Sequence, residues 1–228
     1  MSNQQIRLNK FLAERLGVSR READDLIAKG GVTVNGKPAL LGHRIDLSDK
    51  VCYNNKIIAS TVDFIYLLLN KPVGYLCSRR SQGGDPTLYE LLPAKYQKLK
   101  TAGRLDRDSS GLILLTNDGD FAFKMTHPKF QKTKTYEVKL DLPLEPLHQQ
   151  MVADFGVMLP DGRSQLGLER LDESRKKWRV TMSEGRNRQI RRTFAAVGYE
   201  VVGLDRKTFG KFSLEGLKPG EFREISLS

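Results

Sequence analysis

Asp106 has the setting in this sequence that most favours chemistry. It lies in the polar segment GRLDRDSSG (103–111), which leads directly into the apolar run LILL (112–115). Catalytic groups are often found on loops held by a rigid strand, because the strand fixes their position and the loop gives access to substrate. A carboxylate placed in this way can act as a nucleophile and form a covalent intermediate. The residues alone leave a second interpretation open, in which Asp106 caps the turn or pairs with Arg104.

A second segment, EGRNRQIRR (184–192), concentrates positive charge. If it is helical from residue 188 onward, its apolar residues can be buried on one side of the helix. The other side then carries Arg188, Arg191 and Arg192. An arginine beside a buried carboxylate can lower the pKa of that carboxylate by about 1–3 units and so keep it charged. The alternative is that all four arginines of the segment bind phosphates.

The composition limits the possible functions. The 228 residues include 38 Lys and Arg against 27 Asp and Glu, which gives a formal net charge of +11, and 39% of them are hydrophobic. This predicts a folded protein with a polyanionic partner, because Lys and Arg near phosphates release condensed counterions. No apolar run approaches the roughly 18 residues that span a bilayer, and no signal-peptide pattern opens the sequence. We therefore expect a cytoplasmic protein with no membrane partner.

The sequence gives little support for disulfide or metal chemistry. Cys52 and Cys77 do not form a CxxC motif, and His43, His127 and His148 are scattered along the chain. Pairs of ligands at short spacing are typical of zinc sites, and such pairs are missing from this sequence. We predict reduced cysteines and no metal site.

The N-terminal region predicts a small unit that presents basic side chains. Apolar residues at helical spacing end at Gly17, and SRRE (19–22) is a capping box that begins a second helix. The segment GGVTVNG (30–36) follows, and it predicts a helix stop, a strand and a tight hairpin turn in that order.

These motifs resemble two known families. The helix pair followed by GGVTVNG resembles the S4 RNA-binding domain. The segment GRLDRDSSGLILLT (103–116) resembles the central motif of the RsuA-type family of ribosomal RNA pseudouridine synthases. In the order expected for that family, LNKPVG (69–74) precedes this motif, and KTY (134–136) and EGRNRQIRR (184–192) follow it. Together with the S4-like start, the resemblance covers nearly the whole chain.

The resemblance implies an α+β fold with two domains. A small S4-like α/β RNA-binding domain is expected over residues 1–59, a linker over 60–64, and a pseudouridine synthase catalytic domain over 65–228. The catalytic domain should contain a mainly antiparallel mixed β-sheet flanked by helices, with the active cleft crossing that sheet.

The resemblance also implies the conversion of a specific uridine in ribosomal RNA to pseudouridine, with no cofactor. Asp106 matches the nucleophile of the family, and Tyr136 matches the tyrosine that stacks on the target base. Whether Tyr136 also helps to move the C5 proton stays open. Arg191 matches the arginine of the family's QIR pattern, and we expect it to pair with Asp106. Whether Asp106 attacks the base or the ribose stays open.

RNA contacts are expected from exposed basic side chains in both domains. The predicted RNA-binding residues are Arg20, Arg21, Lys29 and Lys37 in the S4-like domain, and Arg104, Arg186, Arg188 and Arg192 in the catalytic domain. The expected partner is ribosomal RNA, free or in an assembling subunit. The protein itself is expected to be a monomer.

Two other classes of function are compatible with parts of the sequence. A non-catalytic S4-type RNA-binding or ribosome-assembly protein would explain the N-terminal motifs, but it gives no reason for the other motifs to occur together. A different nucleic-acid enzyme, such as a glycosylase or a nuclease, could use Asp106 as a base. A nuclease, however, normally needs clustered carboxylates for its metal ions, and the loop offers only Asp106 and Asp108.

Overall fold

A computed structural model describes residues 5–59 and 61–227, and this part of the chain divides into two compact units. The smaller unit is the chain up to Ile65 together with Asn117–Gly119, and the larger is Tyr66–Thr116 with the chain from Asp120 onward. Of the predicted linker 60–64, Ser60 lies outside the described residues, and 61–64 have no regular secondary structure. No helix in the described chain is long and apolar enough to cross a membrane.

The smaller unit combines a helix pair with short strands. Its described elements are β1 (Ile6–Arg7), α1 (Leu8–Leu16), α2 (Arg20–Ala28), β2 (Val32–Val34), β3 (Lys37–Pro38), β4 (Arg44–Ile45), β5 (Val51–Tyr53) and β6 (Lys56–Ile57). Four strands form an antiparallel sheet in the order β3-β2-β5-β6, and β1 pairs with β4.

Local sequence explains where these elements begin and end. Helix α1 ends at Gly17, whose φ of 68° is left-handed. At the start of α2, the Ser19 hydroxyl accepts from the Glu22 N–H at 3.1 Å, and the Glu22 carboxylate accepts from the Ser19 N–H at 2.6 Å. Asn35 and Gly36 both have positive φ in the turn between β2 and β3, as a two-residue hairpin turn requires. The predicted helix pair and hairpin are confirmed.

The larger unit is built on strands. Its described strands and helices are β7 (Tyr66–Lys71), β8 (Lys100–Ala102), β9 (Ser110–Thr116), α3 (Gly119–Thr126), β10 (Lys134–Leu140), α4 (Pro146–Gln150), β11 (Val157–Leu159), β12 (Gly162–Ser164), β13 (Gly167–Arg170), β14 (Lys177–Met182), α5 (Gln189–Ala195), β15 (Val201–Phe209), β16 (Phe212–Ser213) and β17 (Phe222–Glu224). Short 3₁₀ segments occur at Leu88–Leu91, Ala94–Tyr96 and Pro128–Phe130, and a π-helical segment at Met151–Phe155.

One mixed sheet forms the centre of the larger unit. Its strand order is β13-β14-β10-β15-β9-β7-β17, with β16 paired to β15 and β8 paired to β9. The pairings are antiparallel except for β15 with β9, which is parallel. Strands β11 and β12 form a separate hairpin. The expected α+β fold with a mainly antiparallel mixed sheet is confirmed.

The burial of the strands follows their sequence patterns. Strands β7 and β9 are buried on both faces, which explains their nearly continuous apolar sequences. Strand β10 alternates instead: Tyr136, Val138 and Leu140 are buried, whereas Glu137 and Lys139 are exposed. One face of β10 therefore packs inward and carries Tyr136 with it.

Gly111 permits the parallel junction between β9 and β15. It lies opposite Arg206 in the register, and a Cβ at this position would overlap the Arg206 backbone and the Asp205 side chain. Its φ of 105° is also unfavourable for other residues. The close approach places the loop that precedes β9 beside the middle of β15.

Candidate active site

Asp106 lies in the loop 103–109 between β8 and β9. The Ser109 N–H donates to the Asp106 carbonyl at 3.1 Å, and the Leu105 N–H donates to the Cys77 sulfur at 3.4 Å. Leu105 is buried, so the residue before Asp106 is anchored in the core. The Asp106 side chain is 35% exposed and can therefore be reached from solvent.

A cavity of about 390 Å³ opens beside Asp106, which is within the range of small-molecule sites. The Asp106 loop, α5, strands β10 and β15, and the segment after β14 contribute to its wall. Its charged lining residues are Arg104, Asp106, Lys134, Glu184, Arg186, Arg188 and Arg206. Cations outnumber carboxylates in this lining, which suits a polyanionic substrate.

The arginine that pairs with Asp106 is Arg188. Its Nη1 lies 3.6 Å from Asp106 Oδ2, whereas Arg191 forms its ion pair with Asp108. The predicted pairing of Asp106 with Arg191 is therefore wrong. The physical reason is that α5 begins at Gln189, and Arg188 precedes it with a left-handed φ of 46°. Its side chain consequently does not follow the helical periodicity that the prediction assumed.

Asp108 binds both Arg188 and Arg191. Arg188 donates to its two carboxylate oxygens at 3.1 and 2.9 Å, and Arg191 Nε lies 3.2 Å from Oδ2. Burial opposes the charge on Asp108, but the Arg188 hydrogen bonds and the Arg191 charge outweigh it and hold the pKa of Asp108 below its usual range. Sequence reasoning gave Asp108 no part in the site. The signal that could have found it is the DRD spacing of two acidic residues in one loop.

Arg191 ties the Asp106 loop to the sheet. Its guanidinium donates to the Asp108 carbonyl at 2.8 Å and to the Val201 carbonyl at 2.5 Å. The side chain is 14% exposed, and it lines a groove beside Asp108 rather than the cavity that contains Asp106. Arg191 is thus placed to act on Asp106 through the loop backbone.

Tyr136 faces the cavity from β10. It is 7% exposed, and its side chain forms part of the cavity wall. Its partner across the sheet is Arg206 on β15. A flat aromatic side chain in a cavity wall is suited to hold a flipped base.

Lys134 and Arg206 are cavity residues to which sequence reasoning gave no role. Arg206 is 2% exposed, and its Nε donates to the Leu112 carbonyl at 2.7 Å. Lys134 Nζ donates to the Glu184 carbonyl at 2.9 Å. Burial lowers the pKa of Lys134, and the charge of Arg206 lowers it further. Arg206 could have been noticed in the strand sequence VVGLDRKTF, because a basic residue there occupies a buried position.

Lys71 supplies another buried cation, at the end of β7. It is 0% exposed, and its Nζ donates to the Pro72 and Tyr75 carbonyls at 2.8 and 2.9 Å. Burial lowers its pKa, and the negative charges of Asp108 and Asp106 act in the opposite direction. The NKP motif therefore provides positive charge near both aspartates.

Arg186 and Arg192 bind Asp161 in the turn between β11 and β12. Arg192 donates to the Asp161 carboxylate at 3.1 and 2.7 Å. Arg186 donates to it at 3.0 Å, and also to the Gly162 and Arg163 carbonyls. Both guanidinium groups are engaged within the protein, and their contact with RNA stays a prediction.

The remaining predicted RNA-binding residues are exposed. Arg104 lies at the cavity, and the other four are in the smaller unit: Arg20, Arg21, Lys29 and Lys37. Their contacts with RNA also stay predictions. Among residues 5–59 and 61–227, no three His, Cys, Asp or Glu side chains cluster as a metal site would require.

Comparison with known proteins gives a consistent result over the whole chain. Residues 65–196 match the family described as RNA pseudouridylate synthase, and residues 6–58 match the S4 domain. The chain is 39% identical to ribosomal small subunit pseudouridine synthase A of Pasteurella multocida, over 97% of this chain and 96% of that one. It is 37% identical to ribosomal large subunit pseudouridine synthase B of Bacillus subtilis, over 96% and 92%. A solved structure described as pseudouridylate synthase is 36% identical, with a TM-score of 0.69 and coverage of 97% and 96%.

The mixed sheet, the aspartate loop and the S4 domain together define an enzyme that acts on RNA. The chain belongs to the RNA pseudouridylate synthase family. It is a pseudouridine synthase, which is an isomerase, and the alternative of an S4 protein without catalytic activity is excluded.

Proposed function

We propose that this enzyme isomerises a specific uridine of ribosomal RNA to pseudouridine, with Asp106 as the nucleophile and no cofactor. Two relatives that match it over nearly their whole length are named for the small and the large ribosomal subunit. The observation that carries the proposal is the position of Asp106, a half-buried carboxylate at a basic cavity whose wall includes an aromatic ring. We expect a monomer that acts in the cytoplasm on free ribosomal RNA or on an assembling subunit.

The reaction rearranges bonds within one nucleotide. The N1–C1′ bond breaks, the uracil turns over, and C5 joins C1′, so that no group is lost and no redox change occurs. Asp106 can form a covalent intermediate with the base or the ribose, provided that it is ionised. Arg188 lies 3.6 Å from Asp106, which is too long for a hydrogen bond but close enough to stabilise the carboxylate charge.

Tyr136 and Arg191 support Asp106 in different ways. A uridine in folded RNA must leave its stack to reach an enclosed site, and the Tyr136 ring offers a face on which it can stack. Arg191 joins the Asp108 carbonyl to the Val201 carbonyl, and so fixes the loop from which Asp106 projects. We assign a binding role to Tyr136 and a positioning role to Arg191.

We propose that residues 1–59 bind RNA and that residues 65–228 carry out the isomerisation. Contacts with phosphates fix a protein on RNA, whereas base contacts in a cleft select the nucleotide. The exposed Arg20, Arg21, Lys29 and Lys37 fit the first task, and the cavity fits the second.

The Asp106→Asn substitution tests the catalytic assignment. Asn keeps the shape of the side chain but loses its charge, so pseudouridine formation should fall by more than about 10⁴-fold, as when a member of a catalytic set is removed. RNA affinity should change little. Asp154→Asn, at an exposed position far along the chain, is the matched control. Pseudouridine formation by the Asp106 variant at the wild-type rate would show that another residue is the nucleophile.

Site-resolved mapping of pseudouridine tests the substrate. Ribosomal RNA from cells with and without the protein is compared at every uridine of both subunits. We expect the loss of modification at one site or a few sites, restored by the wild-type chain and not by the Asp106→Asn variant. An unchanged ribosomal map would point to a different RNA.

Neutralising the basic residues of the S4 domain tests its role. In the full-length chain, the variant with Arg20→Gln, Arg21→Gln, Lys29→Gln and Lys37→Gln should bind folded ribosomal RNA less tightly. The slope of log K against log salt should become shallower by about 0.7–0.9 for each phosphate that the protein no longer neutralises. An unchanged slope would mean that these side chains do not bind phosphates.

A further inference from the structure

We propose that Lys134 and Arg206 form a two-cation site in the cavity wall, which binds the carbonyl oxygens of the target uracil and stabilises the negative charge that develops on the base. This inference rests on the proposed function, because it assumes that the base enters the cavity beside Asp106. It adds two catalytic residues to the site.

The sheet register places the two cations beside Tyr136. Lys134 and Tyr136 are two residues apart on β10, so they face the same side of the sheet. Arg206 on β15 is the register partner of Tyr136, next to an irregularity in the pairing between Thr135 and Tyr136, and register partners face the same side of a sheet. All three line the cavity. A base that stacks on Tyr136 therefore has its edge close to both cations.

Neither cation forms an ion pair or a hydrogen bond with a carboxylate within the part of the chain that the structure describes, although the charge of Glu184 acts to raise the pKa of Lys134. Lys134 Nζ and Arg206 Nε bond instead to the neutral carbonyl oxygens of Glu184 and Leu112. The Glu184 carboxylate is engaged by Arg186 and Gln189. Buried charges in proteins are normally paired, so the buried Arg206 beside the half-buried Lys134 favours an incoming acceptor of negative charge.

The Arg206 guanidinium also has a donor that is not used within the protein. Its Nη2 is buried and has no hydrogen-bond partner in the described structure, although the side chain is held by its Nε bond to Leu112. Buried polar groups are nearly always satisfied, and an exception calls for a cause. A ligand oxygen in the cavity would supply the acceptor.

A base fits this site better than a phosphate. Arg206 is 2% exposed and lies next to Tyr136 in the cavity wall, whereas Arg104 and Arg188 are exposed at the same cavity. Phosphates of a bound RNA stay close to solvent, where the exposed arginines can meet them. Uracil carries a carbonyl oxygen on either side of N3, and these are acceptors that a buried donor can reach once the base has been flipped.

The chemistry explains why positive charge is useful at this position. When the N1–C1′ bond breaks, its electron pair stays on the base, and the ring and its carbonyl oxygens become anionic. The C5–C1′ bond then forms with an electron pair of the base, the C5 proton is lost and N1 gains a proton, so the product is an isomer. If Asp106 adds to the base first, the displaced electron pair also resides on a carbonyl oxygen. Preorganised donors at that oxygen accelerate either route.

The experiment compares variants of the full-length enzyme on an RNA fragment that carries the mapped uridine. Lys134→Gln and Arg206→Gln should each lower kcat by about 10²-fold, as when one donor to a developing oxyanion is removed. Their RNA affinity should be almost unchanged. Lys134→Arg keeps the charge and should recover most of the rate. Lys139→Gln, on the exposed face of the same strand, is the matched control.

A second substrate identifies the atom that is bound. RNA with 4-thiouridine or 2-thiouridine at the target replaces one carbonyl oxygen with sulfur, a weaker acceptor. For the wild type, the rate with uridine should greatly exceed the rate with one of these analogues. This ratio should be much smaller for the variant that lacks the cation bound to the replaced oxygen. Equal ratios in all enzymes would overturn the assignment to the carbonyl oxygens.

Two further results would also count against the proposal. Wild-type kcat in both Gln variants would mean that the cations have no part in the reaction. Weaker RNA binding with a salt slope shallower by about one unit would assign them to a phosphate instead. If Arg206→Gln strongly lowers the thermal midpoint of unfolding, its loss of rate is not informative. The comparison of Lys134→Gln with Lys134→Arg then decides whether the cations act in the reaction. The proposed function is tested separately, since Asp106→Asn must abolish activity whatever these variants do.

Discussion

Arg186 and Arg192 both bind Asp161, whereas Arg188 and Arg191, from the same short segment, contact the aspartates of the loop between β8 and β9. We call the first set the hairpin side and the second set the pocket side. On the hairpin side the carboxylate accepts short hydrogen bonds from both arginines. On the pocket side Asp108 takes the hydrogen bonds, and Asp106 is left with a neighbour at 3.6 Å.

This difference shows two uses of one kind of interaction. The hairpin side closes a turn, because Arg186 also bonds to backbone carbonyls of that turn. On the pocket side the hydrogen bonds of Arg188 go to Asp108, and its contact with Asp106 is the longer one. The nucleophilic role that we propose for Asp106 needs that second arrangement, since an oxygen that is already tightly bonded is a poorer attacking atom. Four predictions would break or sharpen the comparison.

The largest effect is expected from Arg191→Met on the pocket side. Loss of its bonds to the Asp108 and Val201 carbonyls should let the loop shift, and a misplacement of about 1 Å can cost about 10²-fold in rate. The measurement is single-turnover pseudouridine formation, with RNA affinity as a separate readout. Arg192→Met on the hairpin side should affect the rate far less. Equal reductions in the two variants would remove the distinction between the sides.

A smaller loss of rate is expected from Asp108→Asn. Hydrogen bonds between charged groups contribute about 1.5–3 kcal/mol, so weakening those to Arg188 and Arg191 should lower kcat by about tenfold or somewhat more. Asp106 remains in place, so activity should persist well above that of Asp106→Asn. A rate as low as that of Asp106→Asn would mean that Asp108 takes part in the chemistry itself.

On the hairpin side, Arg186→Met should reduce stability more than activity. The side chain is 19% exposed and donates to Asp161, Gly162 and Arg163. Its removal should cost about 1–2 kcal/mol in the free energy of unfolding. Thermal or urea unfolding measures that cost, and kinetics on the same RNA fragment measures the activity. A large fall in rate with unchanged stability would move Arg186 to the pocket side.

The smallest effect concerns pH. The arginines hold the pKa values of Asp108 and Asp161 below the ordinary 3.8. A carboxylate whose folded pKa is depressed contributes stability above its unfolded pKa, and this contribution is lost as pH falls through the folded value. When the pH is lowered from neutral to below 3.8, the free energy of unfolding should therefore fall less for Asp108→Asn and Asp161→Asn than for the wild type.

Salt tests the same two contributions in the unfolding experiment. The side chains of Asp108 and Asp161 are 43% and 42% exposed, so solvent ions can reach both carboxylates. High salt screens exposed charges. Both contributions to stability should therefore shrink together as the salt concentration rises, and a contribution that persists in high salt would contradict this exposed setting.

The sequence predicted the local elements well where short-range rules apply. The capping box of α2, the left-handed Gly17 and the Asn35-Gly36 turn depend on neighbours within a few residues, and all three are present. The apolar run LILL likewise predicted β9. The loop before β9 was predicted for the same reason, since its polar sequence adjoins an apolar strand.

The sequence failed where the answer depended on geometry between distant segments. A helix that begins one residue later than assumed changed which arginine pairs with Asp106. Arg206 could not be placed beside Tyr136 without the register of β10 and β15. Asp161 gave no sign that it would bind two arginines, since it lies 25 and 31 residues away from them.

The amino-acid sequence by itself determined which side chains can do chemistry, where the strands and helices form, and which family the motifs resemble. Those properties follow from residue type and from spacing over one or two turns of backbone. The tertiary structure alone decided which charges meet, which of them are buried, and which are left to face a substrate. Electrostatic pairing depends on distance and solvent exposure, and both are set by the parallel junction of β9 with β15 and by the turn that precedes α5.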